Sequence, residues 1–153
     1  TRNDVADADP PGLDRTALAA WMSAAGQPVG GVLTATLLAG GRSNITYRLD
    51  DEAGATWVLR RPPLGHVMPT AHDMAREHRV LVGLDSVGFP VPHPIALCED
   101  AEVIGATFQL MDFVPGLVVD SAAASAQLTV EQRSAVSRVL VDTLARLHAV
   151  DVA

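Results

Sequence analysis

A chain of 153 residues with 48% hydrophobic side chains and a mean hydropathy of +0.22 can bury a core, which excludes disorder over most of its length. Its formal charge of −7, from 11 basic and 18 acidic residues, disfavours nucleic acid and anionic membranes as bulk partners. All the basic residues are arginines, which excludes lysine Schiff-base chemistry, and the lone Cys98 excludes an internal disulfide and a cysteine zinc site.

The cysteine usage suits a reducing cytoplasm, and no apolar run reaches the roughly 20 residues of a membrane helix. Residues 1–12 are polar, acidic and proline-containing, and read as a flexible tail. Leu13, Ala17, Trp21 and Ala24 recur at helical spacing, and Gly26 with Pro28 ends that helix. Val32 to Ala39 is a strand-like run. The turn Gly40-Gly41-Arg42-Ser43-Asn44 separates it from a second strand, Ile45 to Leu49, with Ile45, Tyr47 and Leu49 on one face. A turn at residues 50–54 leads to a third strand, Thr56 to Arg61. Connections this short make the three strands an antiparallel meander.

Residues 62–69 are too rich in proline and glycine to continue the strand. Thr70 is the expected N-cap of a helix reaching about Asp85, with Asp73 at the capping-box position. Met74, Leu81 and Leu84 form its apolar stripe, with Val80 beside it, and Glu77 shares that stripe. Ile95 to Cys98 and Thr107 to Phe113 read as two more strands, joined through residues 99–102. Pro115-Gly116 stops the last strand, so a lobe boundary is expected near residues 114–116. Val130 to Val150 reads as a long helix with Val136, Val139, Leu140, Thr143, Leu144 and Leu147 inward. His148 falls on that same side and reads as a structural histidine.

Two features point to chemistry. The glycine turn, Gly40 to Asn44, could cradle phosphate oxygens on backbone N–H groups, although glycine and asparagine are also ordinary hairpin residues. Arg60 and Arg61 point to opposite faces of their strand, so one reaches the site and the other faces solvent. Glu77, a carboxylate on an apolar stripe, needs a cation, and a strand-three arginine is the nearest candidate. A guanidinium and a carboxylate so paired can hold phosphates. No spacing of the H-E-x-x-H type marks a metal site, and Ser43 lacks the surroundings of a hydrolase nucleophile.

The ordered pieces L-A-G-G-R-S-N-I-T-Y-R-L (Leu38 to Leu49), W-V-L-R-R-P-P (Trp57 to Pro63), A-R-E-H-R-V-L (Ala75 to Leu81), V-P-H-P-I-A-L-C-E-D (Val91 to Asp100), Q-L-M-D-F-V-P-G (Gln109 to Gly116) and L-A-R-L-H-A-V-D (Leu144 to Asp151) resemble the aminoglycoside phosphotransferase-like family. The Arg-Arg-Pro-Pro-Leu-Gly variant is similar to the subgroup of kinase-like domains associated with acyl-CoA dehydrogenases. The resemblance implies an α+β fold: a protein-kinase-like N-terminal lobe (residues 13–114) with a five-stranded antiparallel sheet and its helix C. The hinge and first helix of an incomplete C-terminal lobe follow over residues 115–153.

It further implies phosphoryl transfer from ATP or GTP, with Mg²⁺, to a hydroxyl of a small molecule such as a hydroxyacyl-CoA. By the same resemblance, Gly40, Gly41, Arg42, Ser43 and Asn44 cover the phosphates. Arg60 replaces the usual lysine, and Glu77 orients it. Met111 sits behind the base, and the backbone of Asp112 and Val114 forms the hinge that bonds the base. The family's catalytic loop and metal-binding aspartate do not occur in residues 1–153, so the expectation is a nucleotide-binding lobe that is inactive alone, with metal ligands in a further part. The alternative is a non-catalytic nucleotide-binding or protein-interaction module that self-associates through the last helix.

Overall fold

The computed structural model describes residues 9–38, 44–65, 73–119 and 121–151. They divide into two compact units, Thr1–Val114 and Pro115–Ala153. The first unit opens on helix α1, Arg15–Ala24. Asp14 caps it, its carboxylate accepting the Ala17 N–H at 2.9 Å. At the other end Gly26 takes φ +81°, so its N–H reaches the Ser23 carbonyl while that of Gln27 reaches the Met22 carbonyl. This is a Schellman stop, which a residue bearing a Cβ would adopt only under strain.

Strands β1 (Thr34–Leu37), β2 (Ile45–Asp50) and β3 (Thr56–Arg61) follow, then helix α2 (Met74–Ser86), strand β4 (Pro94–Cys98), helix α3 (Ala101–Ile104) and strand β5 (Phe108–Asp112). All pairings are antiparallel in the order β1-β2-β3-β5-β4, so β5 inserts between β3 and β4. The five-stranded antiparallel sheet and the α+β class agree with the sequence reading. Helix α2 starts later than expected: Asp73 is its N-cap, accepting the Arg76 N–H at 2.8 Å, and Thr70 lies outside the described residues.

Alternation along β3 divides the sheet into two faces. Trp57, Leu59 and Arg61 lie on one, opposite Leu49, Tyr47 and Ile45 of β2. This face carries the core. Leu18 and Met22 of α1, Tyr47, Leu49, Leu59, Phe108, Leu110 and Ile104 of α3 form one buried cluster. Trp21 meets Phe108 edge-on, with ring centroids 4.8 Å apart, a geometry favoured by aromatic quadrupoles. Residues 10–12, at the end of the segment read as a tail, are tied to the same face. Tyr47 donates its phenol proton to the Pro11 carbonyl at 2.7 Å, and Arg61 donates to the Gly12 carbonyl.

The tie to Gly12 corrects one expectation. Arg61 does not face solvent; it is 4% exposed, because α1, α3 and residues 10–12 cover the face on which solvent was expected. Gly12 is equally confined. It takes φ +74°, and a Cβ there would overlap Leu64 and Arg61.

The opposite face carries Thr46, Arg48, Val58, Arg60, Gln109 and Met111, with α2 packed over β4 and β5. The helix buries only Met74. Leu81 and Leu84 are half-buried, and Val80 is exposed, so the apolar stripe is narrower than its spacing suggests. The connection through residues 99–102 contains the short helix α3, capped by Asp100.

The turn after β2 is held by Asp51. Its carboxylate accepts the Gly30 N–H at 2.7 Å and the Ala55 N–H at 2.8 Å, joining the turn to the segment before β1. These donors, Gly30 first, hold its pKa below the usual carboxylate value. A depressed native pKa contributes stability above the unfolded value, lost as pH falls through the native one. Thermal melts of Asp51→Asn should therefore show destabilisation at neutral pH, and a gap to the parent protein that closes on acidification. A gap of constant size across the acid range would refute this role.

Cys98 ends β4 and is 2% exposed, and burial pushes its thiol pKa up. Ellman's reagent should modify it only as denaturant unfolds the sheet; full reaction of the native protein within seconds would contradict that burial.

The second unit holds helix α4 (Ala122–Ala126) and helix α5 (Val130–His148). Thr129 and Gln132 form a reciprocal capping box at the start of α5. The row expected to be inward is not buried: Val139 is 63%, Leu140 68% and Leu144 50% exposed, and His148 is exposed as well. A five-residue helix of alanine and serine offers too little surface to cover a helix of 19 residues. Among the described residues no helix is long and apolar enough to cross a membrane.

Candidate functional site

The half-exposed face of the sheet brings three elements together around one carboxylate. Arg60 is the penultimate residue of β3, and alternation turns it towards α2 and away from the core. Glu77 lies in the first turn of α2, where the helix dipole and unpaired N–H groups favour a negative charge. Gln109 is the register partner of Arg60 on β5.

Arg60 Nε lies 2.6 Å from Glu77 Oε1, and the side chains are 33% and 32% exposed. The contact is an ion pair rather than an aligned hydrogen bond, since the Nε–H finds no acceptor in line with it. Gln109 supplies the directional bond, donating from Nε2 to Glu77 Oε1 at 2.7 Å. Asn44 Nδ2 approaches Glu77 Oε2 at 3.4 Å. On its other side Arg60 donates from Nη1 to Thr46 Oγ1 at 3.2 Å. The carboxylate is thus fixed from three directions, and the guanidinium is held between a carboxylate and a hydroxyl.

The geometry decides which arginine meets Glu77: it is Arg60, and Arg61 belongs to the other face. Gly40, Gly41, Arg42 and Ser43 lie outside the described residues; Asn44 is buried beside Glu77. Met111 is buried on the Arg60 face, paired with Val58 of β3. Asp112 ends β5, and its N–H is committed to the His93 carbonyl at 2.9 Å. Only its carbonyl could therefore serve a base from that residue. Val114, two residues on, is 62% exposed.

Gln109 was not among the residues expected at the site. Its side chain is fully buried, and its Oε1 has no hydrogen-bond partner among the described residues. The signal for it was an amide set between Phe108 and Leu110, directly across from Arg60. Buried amide oxygens are seldom left unsatisfied, so this atom marks a place where a donor fits.

Among the described residues no three His, Cys, Asp or Glu side chains converge.

Comparisons with known proteins place the chain in a family. The profile described as Phosphotransferase enzyme family matches residues 34–153. The chain is 40% identical over 121 residues to rat acyl-CoA dehydrogenase family member 11, which covers 79% of this chain and 15% of that protein. It is 35% identical over 117 residues to the Arabidopsis thaliana protein named probable acyl-CoA dehydrogenase IBR3, covering 73% of this chain and 14% of the relative. A crystal structure from Ralstonia eutropha, assigned to the aminoglycoside phosphotransferases, superposes with a TM-score of 0.57 at 35% identity, over 71% of this chain and 30% of that one. The chain thus spans only a small part of the relatives it matches. Its strands β1 to β5, the Arg60–Glu77 pair and both closing helices fall inside the matched residues, and the chain belongs to the phosphotransferase enzyme family.

Proposed function

We propose that the Arg60 face binds the phosphates of ATP or GTP, and that the chain is the nucleotide-binding part of a phosphotransferase acting on a small-molecule hydroxyl. The observation that carries this reading is the 2.6 Å contact between Arg60 and Glu77. A guanidinium presents five N–H donors in a rigid fork. Glu77 lies at the Nε edge and Thr46 takes one bond from Nη1, which leaves Nη2 for a phosphate oxygen. A planar fork can therefore do what a lysine ammonium does as a point charge, with its orientation set by the carboxylate.

In this reading Gln109 and Asn44 keep Glu77 in place, and residues 40–44 cover the phosphates. Met111 backs the base. The names of the relatives extend the proposal to the acceptor: a hydroxyacyl-CoA suits a protein similar to acyl-CoA dehydrogenase family members. Nucleotide titration of the purified chain and of Arg60→Ala and Glu77→Ala tests the site. Both substitutions should weaken binding; equal affinity in all three proteins would remove it.

A further inference from the structure

Arg61 lies on the opposite face of the sheet from the phosphate site, so its role is independent of the nucleotide reading. It is 4% exposed. Its Nε donates to the Pro62 carbonyl at 3.2 Å, and its Nη1 to the carbonyls of Gly12 and, at 3.0 Å, Ile104. All three acceptors are neutral. Among the described residues no carboxylate pairs with Arg61, and Nη2 has no hydrogen-bond partner. A buried cation without a counter-ion is costly, and proteins normally pair it.

The same side chain lines a cavity of about 440 Å³, within the range of small-molecule sites. Pro62, Pro63, Leu64, Ile104 and Ala106 form the apolar walls, and glycines complete the lining. Arg61 is the only charged residue among the described residues of that lining.

We propose that this cavity binds a monoanionic amphiphile: a carboxylate held by Arg61 Nη2, with an apolar body against Pro62, Leu64 and Ile104. One cation with apolar walls neutralises one negative charge. A phosphate monoester, carrying nearly two, would bring charge that nothing in the lining offsets. The carboxylate supplies the counter-ion that Arg61 lacks, and the apolar body takes surface out of water.

The test uses the full chain, with sodium octanoate as probe and 1-octanol as the uncharged control. Binding is followed by the amide signals of Ile104, Ala106 and Leu64 and by the Arg61 Nε–H signal. Because Arg61→Ala removes three fold-holding bonds, the diagnostic variant is Ala106→Leu, which narrows the cavity and leaves Arg61 intact. A thermal melt verifies that this variant folds. Octanoate should move these four signals and raise the melting temperature. Both 1-octanol on the parent chain and octanoate on Ala106→Leu should bind at least tenfold more weakly. The proposal is overturned by octanol binding as tightly as octanoate, by undiminished affinity in folded Ala106→Leu, by shifts confined to the Arg60 face, or by no binding up to about 10 mM.

Discussion

Arg61→Ala is expected to lower the unfolding free energy by about 3 kcal/mol, with little change in nucleotide affinity for the molecules that remain folded. The guanidinium binds the carbonyls of Gly12, Ile104 and Pro62, and so joins the segment before α1, the end of α3 and the end of β3 at one point. A hydrogen bond from a charged donor contributes roughly 1.5–3 kcal/mol, and an unsatisfied buried carbonyl costs about 1–3 kcal/mol. Relief of a desolvated charge offsets part of that loss, which is why the estimate stays below the sum of those terms. Burial, the main influence on Arg61, lowers its pKa from the ordinary arginine value, opposed only where Tyr47 ionises. Denaturant unfolding with an unchanged m-value would measure the effect. A loss below about 0.5 kcal/mol, the size of an ordinary surface substitution, would show that the buried guanidinium is dispensable.

The neighbouring residue should give the reverse result. Arg60→Ala is expected to weaken nucleotide binding about 10- to 100-fold, equivalent to about 1.4–2.7 kcal/mol, while costing the fold little. Its ion pair is about one-third exposed, and pairs of that kind contribute modestly to stability. In the proposed role its value lies in holding a charge where phosphate oxygens would arrive. Glu77→Ala should weaken binding less, and Arg60→Ala with Glu77→Ala together should match Arg60→Ala alone, because Glu77 acts on the ligand through Arg60. Tighter binding on removal of Glu77 would mean that the carboxylate merely competes with phosphate for the guanidinium.

These two outcomes rest on adjacent residues of one strand, and they show what the sequence could and could not reveal. The alternation in Thr56 to Arg61, bounded by a turn and a Pro-Pro pair, was enough to place β3 at its observed limits and to set the two arginines on opposite faces. It could not say what covers each face. Burial of Arg61 depends on α3 and on residues 10–12, which meet it across more than 40 residues of chain. Helix α3 itself is four residues long, too short to show a period, and only Asp100 as N-cap and Gly105 in the left-handed region betray it.

Glu77 was legible because it interrupts an apolar helical stripe, and the need of a carboxylate for a cation pointed to β3. Gln109 was not, because its importance comes from register: β5 pairs with β3 after a long excursion, and only that pairing sets the amide beside Arg60. The inward row expected on α5 failed for a related reason. Its spacing is helical, but periodicity identifies an apolar face without supplying a surface to cover it.

The clasp on the Pro11 and Gly12 carbonyls has a practical reach. A polypeptide begun at Leu13 would keep every helix and strand, yet Tyr47 and Arg61 would each lose an acceptor in the interior. Such a trimmed protein should fall to proteases sooner than one retaining those residues, so Pro11 and Gly12, which belong to no helix or strand, act as a lock on one face of the sheet.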